Sequence, residues 1–316
     1  MIRTSLLLPS YFFVFSCASL CTPLLGDLNS LQGAPQQVES SPDELWLVNS
    51  RNAVYSEEDQ KHYQTFRYQE GQWQEVPAQE LFEAFAENPD YSNACFVHGN
   101  RYDLGWAQSR GLLSFEKLTT TKERKPLRYI VWAWRSDRVR GALRDVRYKA
   151  SLADEEATHF ASFLKKLPEG TKLTCLAHSY GARVASAAAH LLRIPDHKHH
   201  HKDPENRSFP KISLVLFAAA LHDNAFEQGE EHHQTVYASE KIISFFNSCD
   251  PALKRYGLTE RRCRPTALGY TGIRSNHPPK NYYEEDIAGL IGQEHSDLAY
   301  FKSEPFLDKV RNLLWN

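Results

Sequence analysis

From residue 44 onward, short apolar runs alternate with longer segments in which apolar residues recur every three or four positions. Leu45 to Val48, Thr65 to Tyr68, Ala94 to Val97, Tyr129 to Trp134, Leu173 to Ala177, Ile212 to Ala218 and Ile242 to Phe246 read as strands. Several are apolar throughout, as strands covered on both faces are. The spacing predicts helices near Ala78 to Ala86, Trp106 to Phe115, Leu152 to Leu167 and Ala182 to Leu192. It also predicts a terminal helix over Pro305 to Trp315, with Phe306, Val310, Leu313 and Leu314 on one face. This β-α-β rhythm predicts an α/β fold, a mostly parallel sheet with helices on both faces.

The first residues follow a different pattern. Arg3 is the only charge before Asp27, and Ser5 to Phe15 (SLLLPSYFFVF) has the apolar centre of a secretory signal. Residues 1–26 therefore read as a signal peptide or as a membrane or lipid anchor. The uncharged run Thr4 to Gly26 is long enough to span a bilayer, although Pro9 and Pro23 interrupt a helix, and Cys17 sits in a loose lipoprotein-like context. Residues 27–43 are polar and turn-rich and read as a linker; residues 44–316 read as the folded domain. An exported protein is the expectation, with attachment to a membrane through the leader as its variant.

Composition narrows the function classes. The 316 residues carry 37 Lys+Arg against 39 Asp+Glu, a net charge of −2, so no global basic field exists to hold nucleic acid. With 41% hydrophobic residues the chain can build a large core, and no long uncharged stretch outside the leader suggests multiple membrane spans. Beyond the leader only Cys95, Cys175, Cys249 and Cys263 remain, too few for a disulfide framework, and no CxxC pair points to zinc. The tract His197, His199, His200, His201 reads as a solvated loop rather than a metal site, and Asn206-Arg207-Ser208 is formally a glycosylation sequon. Tyr129 to Arg147, aromatic and then basic, reads as a core strand followed by a solvated helix start rather than as a binding patch. Nothing in the chain calls for a cofactor.

The segment Leu173 to Gly181 carries the chemistry. A buried strand runs into Ser179 and at once into an Ala-rich helix, a turn that demands small flanking residues, here Ala177 and Gly181. Ser179 then stands at a helix N-terminus, where the dipole favours developing negative charge. Upstream, His98-Gly99-Asn100 ends another buried strand, and the backbone amides of Asn100 and Tyr180 are candidate oxyanion donors. Downstream, Asp250 follows a strand and His295 lies in a polar loop before the last helix, giving the order nucleophile, acid, base. Asp223, one strand earlier, is an alternative acid. Cys249 and Cys263 flank a short segment beside Asp250, and the choice between a disulfide and two free thiols stays open.

With these residues the chain resembles the α/β-hydrolase superfamily, and within it an uncharacterised bacterial esterase/lipase-like branch. The resemblance rests on FVHGN (Phe96 to Asn100), AWRS (Ala133 to Ser136), LAHSYGAR (Leu176 to Arg183), FAAALHDNAF (Phe217 to Phe226), NSCDPAL (Asn247 to Leu253) and EHS (Glu294 to Ser296). It implies an α/β-hydrolase fold of about eight strands and a serine hydrolase with Ser179 as nucleophile, Asp250 as acid and His295 as base, acting on a small-molecule acyl substrate, an ester first. An amide or thioester hydrolase, or a catalytically inactive exported binding module on the same fold, are the alternatives. The branch more often has an aromatic residue in place of Asn100 and Met or Gly in place of Tyr180, differences that bear on substrate shape because the oxyanion donors are backbone amides.

Overall fold

The computed structural model describes residues 43–52, 63–121, 124–194, 209–259 and 264–315. The leader and linker, the histidine tract, the sequon and Cys263 lie outside the described residues. A single compact unit runs over Pro42–Asn316. Its strands are β1 (Glu44–Asn49), β2 (Gln64–Gln69), β3 (Gln72–Val76), β4 (Ser92–Val97), β5 (Leu127–Ala133), β6 (Lys172–His178), β7 (Lys211–Phe217), β8 (Ser239–Phe246) and β9 (Tyr282–Asp286). Its helices are α1 (Ala78–Glu87), α2 (Leu104–Leu118), α3 (Ala142–Leu164), α4 (Tyr180–Arg193), α5 (Thr235–Ala238), α6 (Leu268–Thr271), α7 (Ala288–Ile291), α8 (Asp297–Lys302) and α9 (Glu304–Trp315), with a 3-10 turn over Leu253–Leu258.

The sheet has the order β3-β2-β1-β5-β4-β6-β7-β8-β9. All neighbours are parallel except β1 with β2 and β2 with β3. Among the described residues the sheet thus has nine strands, where about eight are expected and seven are marked by the sequence pattern. The additional ones are edge strands: β3 closes a hairpin through Glu70 and Gly71, both at positive φ, and β9 buries only Tyr282 of its five residues. Helix α3 begins at Ala142, well before the expected Leu152, because its opening residues Ala142 to Arg144 are exposed and the buried Asp145 and Lys149 are polar. A further short helix, α8, stands between His295 and the terminal helix.

Strands β4 and β5 are buried almost throughout, as their apolar runs require. Trp132, fully buried, packs against Tyr63, Phe160 and Phe163, and each such aromatic removes enough apolar surface to contribute roughly 2–3 kcal/mol. At the opposite end from the strand C-termini, fully buried Arg128 donates to Glu44 at 2.7 Å and to Asn93 at 2.9 Å, with its guanidinium over the ring of Phe85. A charge buried this deeply is tolerable only when its donors are so occupied. Among the described residues no helix is long and apolar enough to cross a membrane.

Candidate active site

Strand order decides where a site can form. From β4 the chain crosses through α2 to β5 on one side; from β6 it crosses through α4 to β7 on the other. Right-handed crossovers then put α2 and α4 on opposite faces, which leaves a crevice at the C-terminal ends of β4 and β6. The packing agrees, since α2 lies with α8 and α9 while α4 lies with α3 and α5. His98-Gly99-Asn100 and Ser179 leave those two strand ends.

Ser179 has φ 54° and ψ −120°, a conformation that non-glycine residues rarely adopt and that costs on the order of 1–3 kcal/mol. Surrounding bonds hold it there: its N–H donates to Phe217 O at 3.1 Å, and its carbonyl accepts from the amides of Ala182 and Ala220 at 3.0 and 3.1 Å. The small neighbours have steric causes. A Cβ on Gly181 would lie 2.1 Å from Val97 O, and one on Gly99 would lie 3.0 Å from the Cβ of Ser179. Ala177 is fully buried, in register with Val97 and Leu216.

The structure brings three predicted residues into one chain of hydrogen bonds. Ser179 Oγ lies 3.0 Å from His295 Nε2, and His295 Nδ1 lies 2.6 Å from Asp250 Oδ2. Asp250 is fully buried, and its other oxygen, Oδ1, accepts from the amides of Ala252 and Leu253 at 2.8 and 3.1 Å. Those two donors fix the carboxylate so that Oδ2 faces the imidazole. With the Nδ1 proton committed to the carboxylate, Nε2 presents its lone pair to the serine hydroxyl.

Around this chain the turn after β4, which carries Asn100, is braced. Asn100 Nδ2 and Arg101 Nε donate to Asp145 Oδ2 at 3.0 and 2.9 Å, while the Val139 amide donates to Asp145 Oδ1 at 2.9 Å. Burial works against the charge of Asp145, but Arg101, the Val139 amide, Asn100 and Lys149 together hold its carboxyl below the usual range. The amide of Tyr180 belongs to the first residue of α4, and its phenol donates to Val146 O at 2.9 Å. His98 is fully buried and stacked on Tyr102. Burial lowers its pKa to about 4. As a neutral ring it donates from Nδ1 to Gly99 O at 2.9 Å and accepts the Trp134 amide at Nε2. It is a brace for the turn and, among the described residues, forms no hydrogen bond to Ser179, His295 or Asp250.

Two residues of the site were not singled out from the sequence. His178 is buried beside Ser179, and its Nε2 donates to the carbonyl oxygen of His295 at 2.8 Å. Burial lowers its pKa to about 4, and among the described residues its Nδ1 has no hydrogen-bond partner. Asn247, fully buried at the end of β8, donates through Nδ2 to Gly292 O at 2.8 Å and to Glu294 O at 3.2 Å. The loop that carries His295 is thus clamped at three carbonyls by two side chains, each close in sequence to another member of the triad. Neither had a sequence signal, because each acts on a backbone carbonyl tens of residues away.

Asp223, the alternative acid, is buried, and burial raises its pKa. It does not join the triad, since the imidazole nitrogen it would need is taken by Asp250. Cys249 is exposed and, among the described residues, has no disulfide partner; Cys263, the other half of the expected pair, lies outside the described residues. Among the described residues, no group of three or more His, Cys, Asp and Glu is arranged to hold a metal ion. A cavity of about 980 Å³ beside Tyr63, Pro77, Phe82 and Lys166 is lined by neither Ser179, Asp250 nor His295.

No family model matches the chain, and a search among curated proteins finds no match. A solved structure, the product of the gene lin2722 from Listeria innocua, aligns with 12% identity over 70% of this chain and 92% of that one. Its TM-score is 0.33, too slight a likeness to bear on family or function.

Proposed function

We propose that the protein is a serine hydrolase of the α/β-hydrolase fold that cleaves a carboxylic ester through an acyl-enzyme. The observation that carries this reading is the connected set Ser179 Oγ, His295 and Asp250 at 3.0 and 2.6 Å, built on a strained turn at the switch point of a parallel sheet. Ser179 Oγ attacks the acyl carbon while His295 Nε2 takes its proton. Asp250 holds the tautomer and stabilises the imidazolium. The tetrahedral oxyanion is met by the amides of Asn100 and Tyr180 at the positive end of α4. Collapse expels the alcohol, which takes the proton from His295. Water, deprotonated by His295, then attacks the acyl-enzyme, releasing the carboxylate and restoring Ser179.

Ser179 is the expected nucleophile, so turnover of a short p-nitrophenyl ester should fall by on the order of 10³-fold or more in Ser179→Ala. Unchanged turnover in the variant removes Ser179 from the mechanism. The leader-like segment up to Gly26 supports an exported setting for this activity.

A further inference from the structure

The mouth of the site is unusually basic for a chain of net charge −2. Residues 135–149 hold five arginines and Lys149 against two carboxylates, Asp137 and Asp145. Both carboxylates are already engaged, Asp137 by Arg51 and Asp145 by Arg101 and Lys149. Arg138, Arg140 and Arg144 are exposed and, among the described residues, make no ion pair. They belong to the site's border: Arg138 and Arg140 flank Val139, whose amide is held by the same Asp145 that holds Asn100, and Arg144 precedes that aspartate. On the next turns of α3, Tyr180 Oη is bonded to Val146 O. Arg147 Nη2 and Nε reach the carbonyls of Leu258 and Thr259, which ties this segment to the 3-10 turn that follows Asp250.

Large apolar side chains share the same segments. Leu143, Tyr148 and Leu258 are 49%, 46% and 47% exposed. Trp106, on the segment leaving β4, is also exposed. Cationic groups without counter-ions, interspersed with exposed apolar and aromatic side chains, fit a surface that is negatively charged outside and apolar just beneath. A nucleic acid supplies the charge but nothing for Leu143 and Leu258 to enter.

We propose that this rim docks on an anionic lipid bilayer and that the ester presented to Ser179 is an acyl ester carried in that layer. The second half of the proposal rests on the serine-hydrolase reading; the docking does not. Each arginine close to an anionic surface strengthens binding roughly five-fold. The triple variant R138A/R140A/R144A should therefore lose on the order of 100-fold in affinity. All three side chains are exposed and lie outside the catalytic machinery.

The test is sedimentation of the full chain with vesicles of phosphatidylcholine alone and of phosphatidylcholine with phosphatidylglycerol. Any contribution of the leader is common to wild type and variant. Stronger binding to the anionic vesicles, lost in the triple variant and in roughly 0.5 M salt, where screening shortens electrostatic reach to a few ångströms, supports the proposal. Equal binding to both vesicle types, or undiminished anionic binding by the triple variant, overturns it. Soluble fluorophosphonate should label Ser179 at the same rate in wild type and triple variant, which shows that the variant is folded. Absence of labelling in wild type counts against the hydrolase reading and leaves the docking result to stand on the vesicle data.

Discussion

His178 Nε2 donates to the carbonyl oxygen of His295 at 2.8 Å, so the residue before Ser179 holds in place the residue whose imidazole meets the Ser179 hydroxyl. The bond crosses from the end of β6 to a loop 117 positions further along the chain. It runs beside the hydrogen bond that Ser179 Oγ donates to His295 Nε2, and the two together fix both ends of His295.

Replacing His178 separates positioning from mere packing. Leucine fills the space but cannot donate, and loss of alignment by an ångström lowers turnover on the order of 100-fold. Glutamine places an N–H where Nε2 stood. His178→Leu should lose kcat with little change in KM, and His178→Gln should recover most of it. Steady-state kinetics on a soluble ester decide this: equal kcat in the two variants would assign His178 a packing role only.

The two acidic candidates give opposite outcomes. Asp250→Asn leaves the geometry in place but favours the wrong imidazole tautomer, with an expected loss in kcat of about 10³ to 10⁴. Asp223→Asn should change kcat little, because His295 Nδ1 is bonded to Asp250. Parallel kinetics of the two variants check the ranking, and a larger loss in Asp223→Asn contradicts it.

Much of this architecture was legible from the chain. The buried strands β4, β6, β7 and β8 advertise themselves as mostly apolar runs, and Ser179, Asp250 and His295 follow in the order that a parallel sheet lays out its loops. What was missed has physical causes. β9 (YYEED) pairs on one side only and shows one buried residue, so no apolar run marks it. The start of α3 is held by Asp145 and Lys149, polar residues that hydropathy reads as surface. His178 and Asn247 act through distant backbone carbonyls, which leave no trace in local sequence.

Gly181 should tolerate no side chain. A Cβ there would fall 2.1 Å from Val97 O and 2.6 Å from His98 O, both backbone atoms that cannot swing away. Gly181→Ala must push α4 off β4, at a cost of about 1–3 kcal/mol or more, and displace the turn that carries Ser179. Thermal unfolding should show a drop of several degrees together with lost esterase activity. An unchanged Tm would mean that the close approach of α4 to β4 is wrong.

Glu156 should give the protein a distinctive pH dependence. It is buried, accepts from Ser50 Oγ and from Trp132 Nε1 at 2.9 Å, and burial raises its pKa from 4.5 to about 7. The folded state therefore keeps a proton that the unfolded chain has released, so this residue's contribution falls as pH rises from 4.5 to 7, by on the order of 3 kcal/mol. Buried His98 and His178, with pKa values lowered to about 4, act in the opposite sense over an overlapping range. Glu156→Gln keeps the acceptor oxygen and isolates the effect: its advantage over wild type should grow between pH 4.5 and 7. Parallel Tm–pH curves for the two proteins would contradict the assignment.

The most direct measurement of the central claim is mass spectrometry of the protein after reaction with a fluorophosphonate, which phosphonylates a serine only when a neighbouring base activates it. Wild type should carry one adduct, mapped by peptide analysis to Ser179, and Ser179→Ala should carry none. An unmodified wild type that is folded, or an adduct of equal extent in Ser179→Ala, would contradict the account.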